Sequence, residues 1–71
     1  MEKPIHPAVV ALQARMFANR LKIGPILNRA DVTPSTWWRW TRGAEPKMST
    51  LARVSDAIDA KLAEREAADA V

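Results

Sequence analysis

The chain has 71 residues, a formal net charge of +3 and a pI near 10.0. A single domain of this size buries only about 60% of its unfolded surface, so its core is small. The lack of cysteine excludes disulfides, thiol catalysis and the usual structural zinc sites, and a lone His6 leaves carboxylates as the only other metal ligands. We therefore expect no cofactor and no metal.

Charge is unevenly distributed along the sequence. Residues 1–55 hold nine Lys or Arg against three Asp or Glu, whereas residues 56–71 hold two against five. A basic body with an acidic tail predicts a polyanionic partner for the body and a different contact for the tail. No apolar run approaches the roughly 20 residues that span a bilayer, and no signal-peptide core is present, so we expect a cytoplasmic protein with no membrane partner.

The first predicted helix follows a short N-terminal arm, residues 1–7, in which Pro4 and Pro7 forbid a regular helix. Pro7 can serve as the first helical residue, and the helix-favouring composition continues to about Lys22. Arg15 belongs to a polar side that we expect to be solvated. The apolar stripe has helical spacing and contains Ala8, Val9, Leu12 and Met16, widened by Val10, Phe17 and Leu21.

A second, short helix is predicted after a break at Gly24 and Pro25. Pro25 can open this helix, which ends near Ala30. Its apolar residues share one side that should face the core, and they are Ile26, Leu27 and Ala30.

The segment from Asp31 to Gly43 predicts a turn followed by a helix with well-defined ends. Thr33 is a suitable N-cap, Pro34 suits the first helical position, and Gly43 can adopt the left-handed conformation that ends a helix. At 100° per residue, one side of this helix should be buried and carries Trp37, Trp40 and Thr41. The opposite side and its flanks carry Ser35, Arg39 and Arg42, then Thr36 and Trp38.

The polar side of this helix has two interpretations. Arginine can bind guanine O6 and N7 with two hydrogen bonds, and Ser or Thr can contact either kind of base edge, so this side could read DNA in the major groove. An ordinary solvated surface helix is the alternative.

The last predicted helix covers about residues 49–69, with Ser49 or Thr50 as its cap. Its stripe begins in the core and then thins to alanines after Lys61, so this end should fray or pack shallowly on a partner. The stripe consists of Leu51, Val54, Ile58, Leu62 and Arg65. Since no strand is predicted, residues 1–71 should form one all-α domain, a small bundle of about four to five helices.

The segment from Ile26 to Gly43 resembles the helix-turn-helix of the Cro and phage-repressor class, the XRE-like family. The likeness extends over about residues 8–60, because LARVSDAI is similar to the helix that follows the motif. The buried places of the motif are occupied by Ile26, Ala30, Val32, Trp37 and Trp40. Other positions of the motif have residues in the form that many family members show, and these are Thr33, Pro34, Ser35, Thr36, Arg42 and Gly43.

Three residues depart from the family pattern. Leu27 stands where the family prefers a small residue, which implies a different packing of the two helices. Asp31 replaces a turn glycine, although Asp tolerates a left-handed conformation. Ile23 replaces a polar residue that often contacts the DNA backbone, which removes one expected phosphate contact.

The resemblance implies a lambda-repressor-like fold and a transcriptional regulator, such as a phage repressor, that binds a pseudo-palindromic operator as a homodimer. Such a protein would act on the nucleoid of a bacterial or phage-infected cell. Its base-reading residues would be Ser35, Thr36 and Arg39, and its phosphate contacts would be Thr33, Arg42 and Lys47. Trp38 could pack on sugar and phosphate, donate its Nε1–H to a phosphate, or cover a neighbouring helix.

The C-terminal helix suggests two further expectations. Its apolar stripe extends past the length that the other helices could cover, which predicts a dimer interface at Ile58, Leu62 and Arg65. An antitoxin or adaptor that binds a protein through this acidic helix is the alternative function. We expect no enzyme, because one His, no Cys and dispersed carboxylates provide neither a nucleophile–base pair nor a metal cluster.

Overall fold

The computed structural model describes residues 4–69, which form four α-helices and no strand. The helices are α1 (Pro7–Ala18), α2 (Ile23–Ala30), α3 (Pro34–Trp40) and α4 (Met48–Asp69). The predicted all-α class and the small helical bundle are confirmed. None of the helices within this range is both long and apolar enough to cross a membrane.

The core lies where α1 and α2 pack against α4, with α3 joined to it through α2. The predicted stripes of the four helices supply its residues except Val32, in the turn before α3, and Ala57 of α4. The buried hydrophobic residues are Val9, Leu12, Met16, Ile26, Leu27, Ala30, Val32, Trp40, Leu51, Val54, Ala57 and Ile58. Spacing of three and four residues along each helix therefore identified most of the core.

The first three helices end in the same way, with a left-handed residue followed by an apolar residue that returns to the core. The left-handed residues are Arg20, Asp31 and Gly43, with φ of 55°, 58° and 100°. The next amide donates to a carbonyl five residues earlier, as in a Schellman motif. These bonds run from Leu21 to Met16 (2.8 Å), Val32 to Leu27 (2.9 Å) and Ala44 to Arg39 (3.0 Å). Each helix end thus adds an apolar residue to the core or its edge.

The boundary between α1 and α2 differs from the prediction. α1 ends at Ala18 rather than near Lys22, because the left-handed backbone of Arg20 reverses the chain. α2 begins at Ile23, so Gly24 and Pro25 lie inside its first turn rather than before it. Amides in the first turn have no hydrogen-bond partner within the helix, so the absence of an N–H at Pro25 removes no helical hydrogen bond.

One side of α1 is less covered than predicted. Val10 and Phe17 were expected to widen the buried arc, but both are exposed because α4 covers only the side that carries Val9, Leu12 and Met16. Leu21 is partly buried and packs on the core as predicted.

α4 begins one to two residues before the predicted caps, because the carbonyl of Lys47 accepts hydrogen bonds from the amides of Thr50 (3.1 Å) and Leu51 (2.9 Å). It then continues as one helix to Asp69, about 33 Å at 1.5 Å per residue. Its buried residues end at Ile58, and Leu62 is partly buried. Residues 63–69 are exposed.

Three polar contacts join the second half of α4 to the other helices. They are the salt bridges Arg15–Asp59 and Arg29–Glu64, and a 2.6 Å hydrogen bond from Arg65 Nη1 to the carbonyl of Asn19. The expectation that Arg15 is merely solvated is therefore wrong, although it and Asp59 remain partly exposed. Exposed ion pairs add only about 0–1 kcal/mol each, so they orient α4 more than they stabilise it.

Candidate nucleic-acid interface

The turn before α3 fixes where the helix starts. Asp31 has φ 58° and ψ 44°, the left-handed conformation that Asp tolerates, and it ends α2. Thr33 is the N-cap, as predicted, and its Oγ1 accepts a 3.2 Å hydrogen bond from the amide of Thr36. Pro34 is the first helical residue. Three residues thus separate α2 from α3.

The hydroxyl groups of Thr33 and Thr36 are hydrogen-bonded to each other at 2.9 Å. Each hydroxyl has one proton, so whichever oxygen donates, the other keeps its proton for a different acceptor. The pair therefore retains one donor for a base edge or a phosphate oxygen, and the cap remains intact.

α3 has a buried and an exposed side, as predicted. Trp40 is buried and the half-buried Trp37 packs against the core, while Trp38 is exposed. Thr41 is half-buried, and its hydroxyl donates a 2.7 Å hydrogen bond to the carbonyl of Trp38. The indoles of Trp37 and Trp40 therefore anchor α3 and leave its other side accessible.

A groove of about 500 Å³ lies between α3 and the start of α4. The turn before α3 and the loop after it complete its wall. The predicted site residues that line it are Thr33, Thr36, Arg39 and Lys47, and the other lining residues are Asp31, Val32, Trp40, Ala44, Glu45, Thr50 and Arg53.

Positive charge predominates in this groove. Arg39, Lys47 and Arg53 line it, against Asp31 and Glu45. The salt bridges within residues 4–69 are those of Arg15 and Arg29, so no ion pair in the described chain neutralises the three groove cations. The groove can therefore attract an anion with three charged donors and the threonine hydroxyls.

Ser35, Trp38 and Arg42 are exposed but lie outside the groove. The Arg42 guanidinium lies over the Trp38 ring, 4.2 Å from its centroid, which is a cation–π contact. Trp38 thus packs against a residue just after its own helix, a contact that the three expected roles did not include. Arg39 and Arg42 were predicted to lie on one side, but only Arg39 lines the groove, and the Arg42 guanidinium lies over Trp38.

Two groove residues, Thr50 and Arg53, were missed by the sequence analysis. They follow Lys47 at intervals of three along the chain, and residues three apart lie on one side of a helix. That spacing could have revealed them, but only together with the correct start of α4, since the predicted start made Ser49 or Thr50 the cap.

Of the three residues predicted at a dimer interface, Ile58 is the one that burial excludes. Ile58 is fully buried in the core of the chain, so its assignment to an interface is wrong. Leu62 is partly buried against the same core. Arg65 is exposed and donates to the carbonyl of Asn19.

Comparison with known proteins identifies no relative. No protein family matches the chain, and no curated protein or solved structure is significantly similar to it. No family is assigned. Within the described residues, no three His, Cys, Asp or Glu side chains come together as a metal site would require.

Proposed function

We propose that this chain binds double-stranded DNA in a sequence-specific manner, with the exposed side of α3 in the major groove. One observation carries the proposal: Arg39 of α3 lines the same groove as Lys47 and Arg53 at the start of α4, and none of them has a salt bridge within residues 4–69. A base-reading cation flanked by two others is the arrangement needed for base edges and phosphates together.

The residue roles follow from these positions. Arg39 and Thr36 read base edges, as does the exposed Ser35. Phosphates are held by Lys47 and by three further residues, Thr33, Arg42 and Arg53. The contact with Trp38 restricts the rotamers of Arg42, so less side-chain entropy is lost when this guanidinium binds a phosphate.

Helices α2 and α3, with the three-residue turn between them, would act as a helix-turn-helix of the Cro and phage-repressor type. An α-helix with side chains is about 10–12 Å wide, which fits a major groove about 12 Å wide. One short reading helix covers only half a site, so a regulator of this type binds a pseudo-palindromic operator with two copies about 34 Å apart.

Selection of bound sequences from a random DNA pool tests the proposal. We expect a two-fold symmetric motif from the purified chain, and a matched chain with Arg39, Lys47 and Arg53 replaced by Gln should enrich none. These three side chains lie at the surface of the groove, so the variant should keep its fold, which circular dichroism would verify. Failure of the unmodified chain to enrich any motif would contradict the proposal.

The alternative, an antitoxin or adaptor that binds a protein through α4, is favoured by one observation. Residues 63–69 form a regular, exposed helix beyond the last buried residue, with Glu64, Glu66 and Asp69 along it. A gel shift with the chain alone separates the two functions. High affinity for DNA without a partner favours the regulator, and its absence favours the adaptor.

A further inference from the structure

Helix α1 is apolar on two opposite sides. Only Gln13 and Arg15 are polar among its 12 residues. The side facing α4 is buried, and the opposite side is exposed although it too carries no polar residue. This outer α1 face consists of Val10, Ala11, Ala14, Phe17 and Ala18, which fall within an arc of about 120° at 100° per residue. A helix that is apolar all round is typical of one that is buried all round.

The exposure of the outer α1 face is large. The Phe17 residue is 88% exposed and Val10 is 47% exposed. Among the described residues, the other exposed large hydrophobics are Trp38, which has Arg42 over its ring, and Met48. Phe17 and Val10 lie seven positions apart, so they form one patch rather than two isolated residues.

We propose that the outer α1 face is an interface between two copies of this chain. The face carries no charge, and Arg15 on its flank is paired with Asp59, so it is complementary to another uncharged apolar surface. A second copy of the chain presents such a surface in the same face. A contact of this face with itself is isologous and closes as a two-fold dimer.

The order of residue sizes favours antiparallel helices. In that arrangement the Phe17 end of each helix meets the Val10 end of the other, so the two large rings do not occupy the same space. Alanines between them allow the helices to approach closely, with Ala14 near the two-fold axis. Antiparallel helix dipoles also attract each other.

The size of the face predicts a weak dimer. α1 is about 18 Å long at 1.5 Å per residue, so the contact belongs with interfaces below about 1,200 Å² in total. Since interfaces of standard size range from micromolar to picomolar affinity, we expect this smaller one to have a Kd in the micromolar range or weaker. The dimer forms without DNA, and the inference is therefore independent of the proposed function.

Sedimentation equilibrium of the full chain without DNA, over about 5–500 µM, tests the proposal. Ala14→Glu and Ala14→Lys each bring two like charges together near the axis, so each variant alone should associate at least about ten-fold more weakly. An equimolar mixture of the two should associate again, because the charges then attract. Ala52→Glu, at an exposed alanine of α4, is the matched control and should dimerise like the unmodified chain.

Phe17→Ser provides a second variant that does not depend on charge. Since Phe17 is exposed within the chain, its removal should weaken association and leave the thermal melt of dilute protein unchanged. A chain that stays monomeric throughout the range overturns the proposal. The proposal is also overturned if neither Phe17→Ser nor the charged Ala14 variants weaken association. It is overturned as well if the mixture of Ala14→Glu and Ala14→Lys stays monomeric. An unmodified chain that dimerises but binds no DNA would instead count against the proposed function alone.

Discussion

The indole rings of Trp37 and Trp40, three positions apart on α3, lie with their centroids 5.8 Å apart and their planes inclined by 58°. Trp40 is buried in the core, and Trp37 packs on the same core from its edge. Tilted aromatic pairs of this kind contribute about 0.5–1.5 kcal/mol beyond the burial of their surface. The pair attaches a helix of only seven residues, which would be marginal alone, to the bundle.

We therefore expect Trp40→Ala to unfold the protein and Trp38→Ala to leave it folded. Removal of a buried aromatic side chain costs about 3–5 kcal/mol, most of what so small a domain has. Trp38 is exposed and its loss removes a contact with Arg42 worth about 0.5–1 kcal/mol. Thermal melts followed by circular dichroism measure both changes, and equal losses of stability would show that Trp38 has a core role.

Arg39 and Lys47 should differ in how they affect DNA binding. Arg39→Ala should cost about 1–3 kcal/mol for the selected operator and relax discrimination at one base pair per half-site, because a bidentate contact to a base is lost. Lys47→Ala should weaken all sequences alike. Competition titrations with operators substituted at each position measure this difference, and an Arg39→Ala protein with full sequence preference would mean that another residue reads the base.

DNA binding should depend strongly on salt. If Arg42, Lys47 and Arg53 each neutralise one phosphate, log K should fall with log salt with a slope of about −2.7 per subunit, since each contact contributes about −0.9. Lys47→Ala should reduce the slope by about 1 per subunit. Arg29→Ala is the control, because Arg29 is paired with Glu64 and lies outside the groove. An affinity that is constant between low and moderate salt would argue against phosphate contacts.

Two substitutions, one at the start of α2 and one just before it, should differ in their effect on stability. Gly24 is helical and precedes Pro25, whose ring disfavours the helical conformation for a residue that carries a Cβ, so Gly24→Ala should not stabilise the fold even though no other group lies within 4 Å of the added Cβ. Arg20 has φ 55°, and Arg20→Gly should gain up to about 1 kcal/mol by relieving a left-handed conformation. Chemical denaturation measures both, and Arg20→Ala, which keeps the left-handed cost, should show no gain.

The ion pair between Arg29 and Glu64 predicts a pH dependence. The hydrogen bond from Arg29 holds the pKa of Glu64 below its ordinary value, against the opposing effect of desolvation. Because the folded pKa is lowered, this contribution to stability is present above the ordinary pKa and is lost as the pH falls through the lowered value. NMR titration of the Glu64 carboxyl should show the lowered pKa, and Arg29→Gln should return it toward normal.

Local patterns in the sequence determined the helices and the ends of α3. The spacing of apolar residues predicted which sides of α2, α3 and α4 face the core, because side chains three and four apart lie on one side of a helix. Thr33, Pro34 and Gly43 act within a few residues of their own positions, and their roles at the ends of α3 are confirmed. The predictions of DNA binding and of a family remain predictions.

Tertiary packing alone decided which apolar surfaces are covered and which cationic side chains line the same groove. Ile58 lies in the core and Phe17 in solvent, although both belong to apolar stripes, because the other helices cover α4 at Ile58 and nothing among residues 4–69 covers the outer side of α1 at Phe17. Arg39 and Arg53 are 14 positions apart and line one groove only because the loop after α3 turns the chain back. Contacts between distant residues depend on how whole helices pack, and helix periodicity does not encode that arrangement.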